Sequence, residues 1–431
     1  MPIPIVLLEP LVCQYTQAFR RVFSRPQFQH FVTVLLGLLA SPERRTLRGL
    51  LQPTVGTRSL SAVSRFLSAA PWIPGRLAQA WVARFRQQLL PLIQAERQRL
   101  RAQRSGRRGR PPRPRVPAFL IFDDSTIAKH VQGKPPRCMQ GVGQHYSTTQ
   151  RKVVEGHSLV AGLLVVLGRR CPLVLRLYRQ KRVAQAEGKP FRSKVELVTE
   201  AIGEFQPLAG TVTHVLVDAW YTCRGVWRAA AERGFLFTGG LRTNRWLRLA
   251  GPEGWRKVRL STYVAGLQPQ DFVPVDWRGR TMAAHLVRTY VYHLGACQVL
   301  VVKERPQAAA DTARCYVTSD LKADVAAVAG YAAQRWDIET WLEDTKRLLG
   351  LDHYQVTSDI AMERYWHLVA CCYLYLDELR AQLIAEGRLH ATIGDALRYH
   401  QKARRQPFLQ WLRNEFSAGA TPHQVEQLLA A

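Results

Sequence analysis

An alternation of strand-like and helix-like segments in the central part of the chain most constrains its fold. Between the apolar, strand-like runs at 118–122 and 212–217 lie two further strand-like runs, at 159–167 and 173–178, and an amphipathic helical stretch at 194–205. This alternation is typical of an α/β sheet covered by helices. The run at 118–122 ends at Asp123 and Asp124, and the run at 212–217 ends at Asp218. Because strand ends on a mixed sheet can aim side chains into one cleft, we expect these carboxylates to lie together.

A further acid lies on a helix-like stretch near residue 340. Arg335, Glu339 and Lys346 recur at i, i+4 and i+11, so they fall within roughly 40° of one another on an α-helix. Tyr331 falls on the same face, about 40° to the other side of Arg335. We expect the carboxylate on this face to bind a divalent metal and the two cations to bind phosphates.

Asp124, Asp218 and Glu339 together predict phosphodiester chemistry. Carboxylates in one cleft can hold two Mg²⁺ ions roughly 3.5–4 Å apart, one activating the nucleophile and one stabilising the leaving oxygen. Mn²⁺ is the alternative ion, and Asp123 is the alternative first ligand. Each acid alone also fits a structural role, since an Asp after a strand commonly belongs to a turn. Glu339 similarly fits a surface pair with Arg335.

The charge balance of the chain indicates a polyanionic partner. The sequence has 61 Lys+Arg against 32 Asp+Glu, a net charge of +29, and such an excess attracts double-stranded DNA. The longest apolar runs are too short to span a bilayer, so we expect no membrane partner. The start of the chain lacks the charged region of a signal peptide. The 8 cysteines include no C-x-x-C pair, which favours reduced thiols, no structural zinc and a cytoplasmic location.

Changes in composition divide the chain into expected regions. A helical N-terminal DNA-binding domain is followed by an Arg-rich linker. A sheet-forming core in two parts then surrounds a β-rich insertion, and a helical region ends the chain. In order, the expected boundaries are 1–96, 97–117, 118–243, 244–318, 319–375 and 376–431.

The Arg-rich linker is a candidate DNA-binding segment. Its arginines are interleaved with Gly and Pro, and we expect residues 97–115 to be disordered until DNA neutralises them. Arg107, Arg108 and Arg110 are the candidate contacts. The Arg-Gly-Arg-Pro sequence at 108–111 matches the core of an AT-hook, in which an extended Arg-Gly-Arg lies in a narrow A·T minor groove. The alternative is a solvated linker that contacts phosphates without choosing bases.

The residues around the acids resemble a known family. The spacing of Arg335, Glu339 and Lys346 is similar to the R-E-K part of the Y-R-E-K signature. This signature belongs to DDE transposases of bacterial insertion sequences of the insertion-sequence 4 and 701 type. The segments at 122–126 and 215–221 resemble the two Asp motifs of that family. The chain therefore resembles a DDE transposase.

Tyr331 departs from the spacing of the family, and two adjacent residues are candidates for its first acid. The family has two residues between its Tyr and Arg, whereas Tyr331 precedes Arg335 by four positions. Tyr331 nevertheless falls on the expected helix face. The first acid of the family usually stands just before small or hydroxyl residues, and this favours Asp124 over Asp123.

The resemblance implies an RNase H-like catalytic core with a β-rich insertion, preceded by an α-helical domain and followed by C-terminal helices. It also implies cut-and-paste transposition, in which water attacks at the element end and the freed 3′-OH then attacks the other strand or target DNA. We expect a homodimer that binds transposon ends and target DNA. Its expected location is the bacterial cytoplasm, at the nucleoid. Related enzymes flip a base onto aromatic residues, for which Trp336 is a candidate and Trp277 a weaker one. The alternatives are an RNase H-like nuclease without strand transfer and a domesticated, non-catalytic DNA-binding protein.

Overall fold

The computed structural model describes most of the chain. The described residues are 10–41, 45–51, 59–103, 114–129, 139–147, 150–251 and 254–430. Within these stretches, none of the helices is long and apolar enough to cross a membrane.

Helices form the N-terminal part of the described chain. They are α1 (Pro10–Gln17), α2 (Arg25–Ala40), α3 (Leu47–Leu51), α4 (Leu60–Ser68) and α5 (Pro74–Ala102). The Ser24 side chain accepts a hydrogen bond from the Gln27 amide and thereby begins α2. Along α5, Leu77, Trp81 and Phe85 recur every four positions and are buried on one face.

The boundary expected between these helices and the linker is wrong. The linker was expected from residue 97, but α5 continues to Ala102, and the first strand begins at Val116. The sequence after Ile93 is rich in Gln, Glu, Leu and Arg, which are good helix formers. A run of positive charge therefore does not end a helix by itself. Arg107, Arg108 and Arg110 lie outside the described residues.

The strands of the described residues join in one mixed sheet. They are β1 (Val116–Ala128), β2 (Gly143–Ser147), β3 (Lys152–Val166), β4 (Arg169–Tyr178), β5 (Thr211–Val217), β6 (Leu236–Gly240), β7 (Trp246–Gly251), β8 (Gly254–Arg259), β9 (Val273–Trp277), β10 (Arg280–Val291), β11 (Gly295–Lys303) and β12 (Arg314–Thr318). The main order is β2-β3-β1-β5-β6-β12-β11-β10-β7-β8, with β4 beside β3 and β9 beside β10.

The parallel pairing of β1 with β5 decides where the acids lie. Ile121 on β1 is the register partner of Leu216 on β5. Two residues further along each chain, Asp123 and Asp218 therefore stand at the same level of the sheet. The expected α/β architecture is confirmed.

The β-rich segment expected at 244–318 continues the core sheet. Its last strand, β12, pairs antiparallel with β6, with Val317 opposite Gly239. Gly239 and Gly240 on β6 have close neighbours, and an added Cβ on Gly240 would lie 2.8 Å from the Ala219 amide nitrogen. The absence of side chains at these glycines thus lets the turn after β5 pack directly against the sheet.

The remaining helices cover the sheet and extend the chain. They are α6 (Lys181–Ala186), α7 (Lys194–Glu204), α8 (Arg224–Glu232), α9 (Leu260–Gly266), α10 (Val325–Gln334), α11 (Trp336–Leu349), α12 (Asp359–Ala385), α13 (Ile393–Ala403), α14 (Arg405–Ser417) and α15 (Pro422–Ala430).

Helix α12 joins the N-terminal helices to the sheet. It packs on β4 and also on α2, α4 and α5. The Tyr15 hydroxyl donates to the Cys371 carbonyl at 2.6 Å, and Arg84 pairs with Glu378 at 2.7 Å. The domain boundary expected at 375/376 is wrong, because it falls inside α12. A helix that is apolar on nearly all sides is buried between layers and does not mark a boundary.

A single helix was expected to run from Tyr331 through Lys346, and this expectation is wrong. The chain forms α10, which ends at Gln334, and then α11, which begins at Trp336. Arg335 lies between them. Gly350, with a positive φ of 66°, ends α11 in the left-handed conformation that glycine adopts easily.

Candidate active site

One cavity of about 750 Å³ gathers acids from distant parts of the chain. Its acidic lining residues are Asp123, Asp124, Asp218, Glu339 and Glu343. They come from β1, from the turn after β5 and from α11. The structure thus brings Asp124, Asp218 and Glu339 to one place, together with the alternative ligand Asp123.

Asp123 and Asp218 interact through their charges. Burial and repulsion from the Asp218 carboxylate raise the pKa of Asp123 to about 7. The Asp124 amide donates to Asp123 Oδ1 at 2.8 Å, and an Arg335 guanidinium nitrogen lies 3.6 Å from Asp123 Oδ2. Two carboxylates that repel each other in one cavity favour the binding of a cation between them.

Asp218 is oriented by the turn that follows it. Its Oδ1 accepts hydrogen bonds from the amides of Trp220 and Tyr221, both at 2.9 Å. The turn role that an Asp after a strand commonly has is therefore present here. The same bonds hold the carboxylate at the rim of the cavity, so the turn and a ligand role are compatible.

Asp124 is held by two side chains that sequence reasoning missed. Lys194 Nζ lies 2.5 Å from Asp124 Oδ2, and the Tyr221 hydroxyl donates to Asp124 Oδ1 at 3.0 Å. Burial and the charge of Asp124 raise the pKa of Tyr221. Lys194 is the first residue of α7. A cation at that end opposes the helix dipole, and this unfavourable placement is the sequence signal that could have singled it out.

The face of α11 that points to the cavity carries acids and a cation. Glu339, Glu343 and Lys346 line the cavity at i, i+4 and i+7. Arg335 donates a hydrogen bond to Glu339. Lys346 Nζ donates to Ser125 Oγ at 2.6 Å, and burial lowers the pKa of Lys346. The helix face predicted from Arg335, Glu339 and Lys346 therefore lies beside the acids that follow β5 and end the apolar run of β1.

Tyr331 does not lie on this helix face. Its ring lies 4.3 Å from the His214 ring and 6.0 Å from the Phe119 ring, measured between centroids. It is not among the residues that line the cavity. Tyr331 therefore packs on aromatic side chains of β1 and β5 and does not lie beside Glu339.

The predicted stacking residues differ in exposure. Trp336 is 48% exposed, and the Arg278 guanidinium lies 5.9 Å from its ring centroid. Trp277 packs against Tyr316, with ring centroids 5.5 Å apart. A further aromatic residue, Trp220 in the second Asp motif, is 48% exposed and lines the acidic cavity.

The carboxylates fit a hard divalent cation by their chemistry. Mg²⁺ prefers oxygen ligands, and one or two carboxylates with water and phosphate complete its shell. Within the described stretches, no three His, Cys, Asp or Glu side chains are grouped closely enough to hold a metal ion. Asp124 bonds to Lys194 and Glu339 bonds to Arg335 instead. A divalent ion that binds here therefore competes with these two cations.

Comparison with known proteins points to one family. Residues 192–375 match the family model described as a transposase DDE domain. This range contains Asp218 and Glu339 and begins after Asp123 and Asp124.

The chain is similar to the solved structure of a piggyBac transposase synaptic complex with hairpin DNA, at 10% sequence identity and a TM-score of 0.45, over 97% of this chain and 80% of that chain. Among curated protein sequences, none matches. The match to the family model covers less than half of the chain, and over residues 192–375 the chain is similar to a transposase DDE domain.

Proposed function

We propose that this protein catalyses cut-and-paste transposition of an insertion sequence, with Asp124, Asp218 and Glu339 as the catalytic acids. One observation carries the proposal: carboxylates from three distant segments line a single cavity beside Lys194 and Lys346. Such a combination suits a reaction in which metal ions and cations surround a phosphodiester.

Two Mg²⁺ ions, or Mn²⁺ in their place, are the proposed cofactors. When bound, the ions supply an activated nucleophile and stabilise the leaving oxygen of the phosphodiester. Asp218 and Glu339 would hold them together with Asp124, or with Asp123 as the alternative. The level register of Asp123 with Asp218 favours Asp123, whereas the family motif favours Asp124.

The cations of the site have a proposed role in binding DNA. Arg335 and Lys346 would contact phosphates beside the cleaved bond, since both lie next to Glu339 or the β1 acids. The site offers charge-assisted hydrogen bonds from donors that are already positioned. Trp336, with nearly half of its surface exposed, remains the proposed stacking partner for a flipped base.

The substrate is proposed to be double-stranded DNA, bound by a homodimer at the element ends. The net charge of +29 supports a polyanionic partner. Short inverted repeats in the DNA that flanks the gene would define the end sequence to be used in an assay.

The decisive experiment measures cleavage and strand transfer on such end DNA. Glu339→Gln and Asp218→Asn should abolish cleavage and leave DNA binding intact, because loss of one ligand misplaces the metals. Glu343→Gln is the matched control, since Glu343 lies one turn from Glu339 on the same face and should be dispensable. Near-normal cutting by Glu339→Gln would refute the assignment. Cleavage without a joined product would identify a nuclease that does not transfer strands.

A further inference from the structure

The outward face of the β7–β8 hairpin has an unusual composition. Trp246 on β7 is the register partner of Arg259 on β8, and Arg248 is the partner of Lys257. Partners in an antiparallel pair share a face. We call this outward face the cationic ribbon; its residues are Trp246, Arg248, Trp255, Lys257 and Arg259.

The opposite face of the same hairpin is the one that packs on the protein. Leu247 is fully buried and Leu249 is 9% exposed. Trp255 on the cationic ribbon is 62% exposed. Strand β7 therefore turns its opposite face to the core, whereas β8 is exposed along most of its length. Core packing does not explain the large exposed ring of Trp255 on the cationic ribbon.

Among the residues that the structure describes, the cations of the cationic ribbon have no acidic partner. The strands β7, β8 and β10 contain no Asp or Glu. In the described part of the chain, none of Arg248, Lys257 and Arg259 forms an ion pair, whereas arginines elsewhere, such as Arg169 and Arg176, do. Unneutralised cations in a row attract a polyanion.

The aromatic rings hold these cations in place. Lys257 Nζ lies 4.6 Å from the Trp246 ring centroid, and the Arg259 guanidinium carbon lies 5.0 Å from it. The Arg248 guanidinium carbon lies 4.9 Å from the Trp255 ring centroid. Cation–π contacts of this kind orient long, flexible side chains. Each of these rings has a cation beside it, which favours a role in positioning the cations over a role in stacking unpaired bases.

The cationic ribbon is continuous with the acidic cavity. A second cavity of about 460 Å³ lies between them, lined by Trp220, Arg242 and Arg245 and also by Trp246 and Lys257. Trp220 lines both cavities. A strand of six residues extends about 20 Å, and duplex DNA carries one charge per about 1.7 Å of its axis. Duplex DNA bound at the acidic cavity would therefore also contact the cationic ribbon through several of its phosphates.

We infer that the cationic ribbon is a docking surface for the phosphate backbone of duplex DNA, with Trp246 and Trp255 acting as positioning residues for its cations. The inference rests on the proposed function for the identity of the polyanion. It adds a surface outside the catalytic cavity and predicts contacts that do not depend on base sequence.

The test measures binding of a random-sequence duplex as a function of salt. The triple variant Arg248→Gln, Lys257→Gln, Arg259→Gln should reduce the slope of log K against log salt by roughly 2.7, since each phosphate contact contributes about 0.9. Between about 50 and 200 mM salt it should then lose roughly 40-fold less affinity than the native protein. Arg256→Gln is the control, because Arg256 is exposed on β8 but pairs with Leu249 on the opposite face, and it should leave the slope unchanged.

A second variant tests the aromatic residues. Trp255→Leu should weaken duplex binding and leave binding of a single strand of equal length unaffected. An unchanged slope for the triple variant, or an equal loss with Arg256→Gln, would overturn the inference. A selective loss of single-strand binding in Trp255→Leu would also overturn it. The two proposals fail in different assays. If only the proposed function is wrong, the native protein cuts no end DNA, but the triple variant still has a smaller salt slope than the native protein.

Discussion

The ammonium group of Lys194 lies 2.5 Å from a carboxylate oxygen of Asp124, although 70 positions separate the two residues. Both side chains are largely buried, with exposures of 18% and 22%. Lys194 also lies 5.8 Å from the Trp220 ring centroid. One of the proposed catalytic acids is therefore already compensated by a cation of the protein itself.

Removal of this cation should strengthen metal binding. With Lys194→Met, a divalent ion no longer competes with the ammonium group for Asp124, so the dissociation constant for Mn²⁺ should fall by roughly three- to tenfold, on the order of 1 kcal/mol. Calorimetric titration of the DNA-free protein measures this. Lys189→Met is the control, because Lys189 is exposed and lies near Asp359. Weaker Mn²⁺ binding by the Lys194 variant would contradict the idea.

The two adjacent acids on β1 should differ in their effect on cleavage. The proposed ligand is Asp124, and Asp124→Asn should abolish cleavage of end DNA. Asp123→Asn should reduce it less, because its main charge contacts are with Asp218 and Arg335. The reverse ranking in a single-turnover assay would assign the ligand role to Asp123.

Stability should fall in acid because His214 is buried and neutral. Burial lowers the pKa of His214 to about 4, and in the described structure its Nδ1 has no hydrogen-bond partner. Between pH of about 6.5 and 4 the unfolded chain binds the proton that the folded chain does not, so stability decreases as pH falls. The full effect is at most about 3 kcal/mol. His214→Phe should flatten the pH dependence of the melting temperature over this interval, and an unaltered dependence would exclude the histidine as its cause.

Removal of the Arg364 side chain should destabilise the packing of the N-terminal helices. Its guanidinium donates to the carbonyl oxygens of Leu67 at 2.8 Å and Trp72 at 2.7 Å. Arg364→Met leaves these acceptors unpaired, which should cost about 1–3 kcal/mol. Hydrogen exchange in α4 should accelerate. Arg228→Met, which removes an exposed cation paired with Glu232, should change stability by less than about 1 kcal/mol.

The linker arginines give a separate prediction from the sequence. Replacing Arg107, Arg108 and Arg110 by Ser should weaken duplex binding at low salt and reduce the salt slope by up to about 2.7. Competition between A·T-rich and G·C-rich duplexes distinguishes minor-groove contact from general phosphate contact. Binding equal to that of the native protein would indicate a tether without a DNA-binding role.

Local pattern was sufficient to predict the strands that carry the acids. The runs at 118–122 and 212–217 lie in β1 and β5, and the helical face of Glu339 and Lys346 lies on α11. These features depend on residue periodicity and on residues close in sequence, so the chain alone reveals them. The ends of the elements were harder to predict, because α5 continues to Ala102 through residues of high helix propensity that also belong to the Arg-rich segment.

The sequence could not predict which side chains contact the acids. Lys194 and Tyr221 reach Asp124 only because α7 and the turn after β5 meet over the sheet. Tyr331 was expected beside Arg335 but packs on His214 instead. Such contacts join residues far apart in the chain, and no periodicity encodes them.

Composition and residue periodicity were sufficient to predict the α/β core, the order of Asp124, Asp218 and Glu339 and the excess of positive charge, because these are local properties of the sequence. Tertiary structure alone decided that the acids share a cavity with Lys194. It also decided that the strands up to β12 extend the core sheet and that the β7–β8 hairpin turns its cations outward. Strand pairing and helix docking depend on contacts between distant parts of the chain, because the burial of apolar surface outweighs local conformational preference.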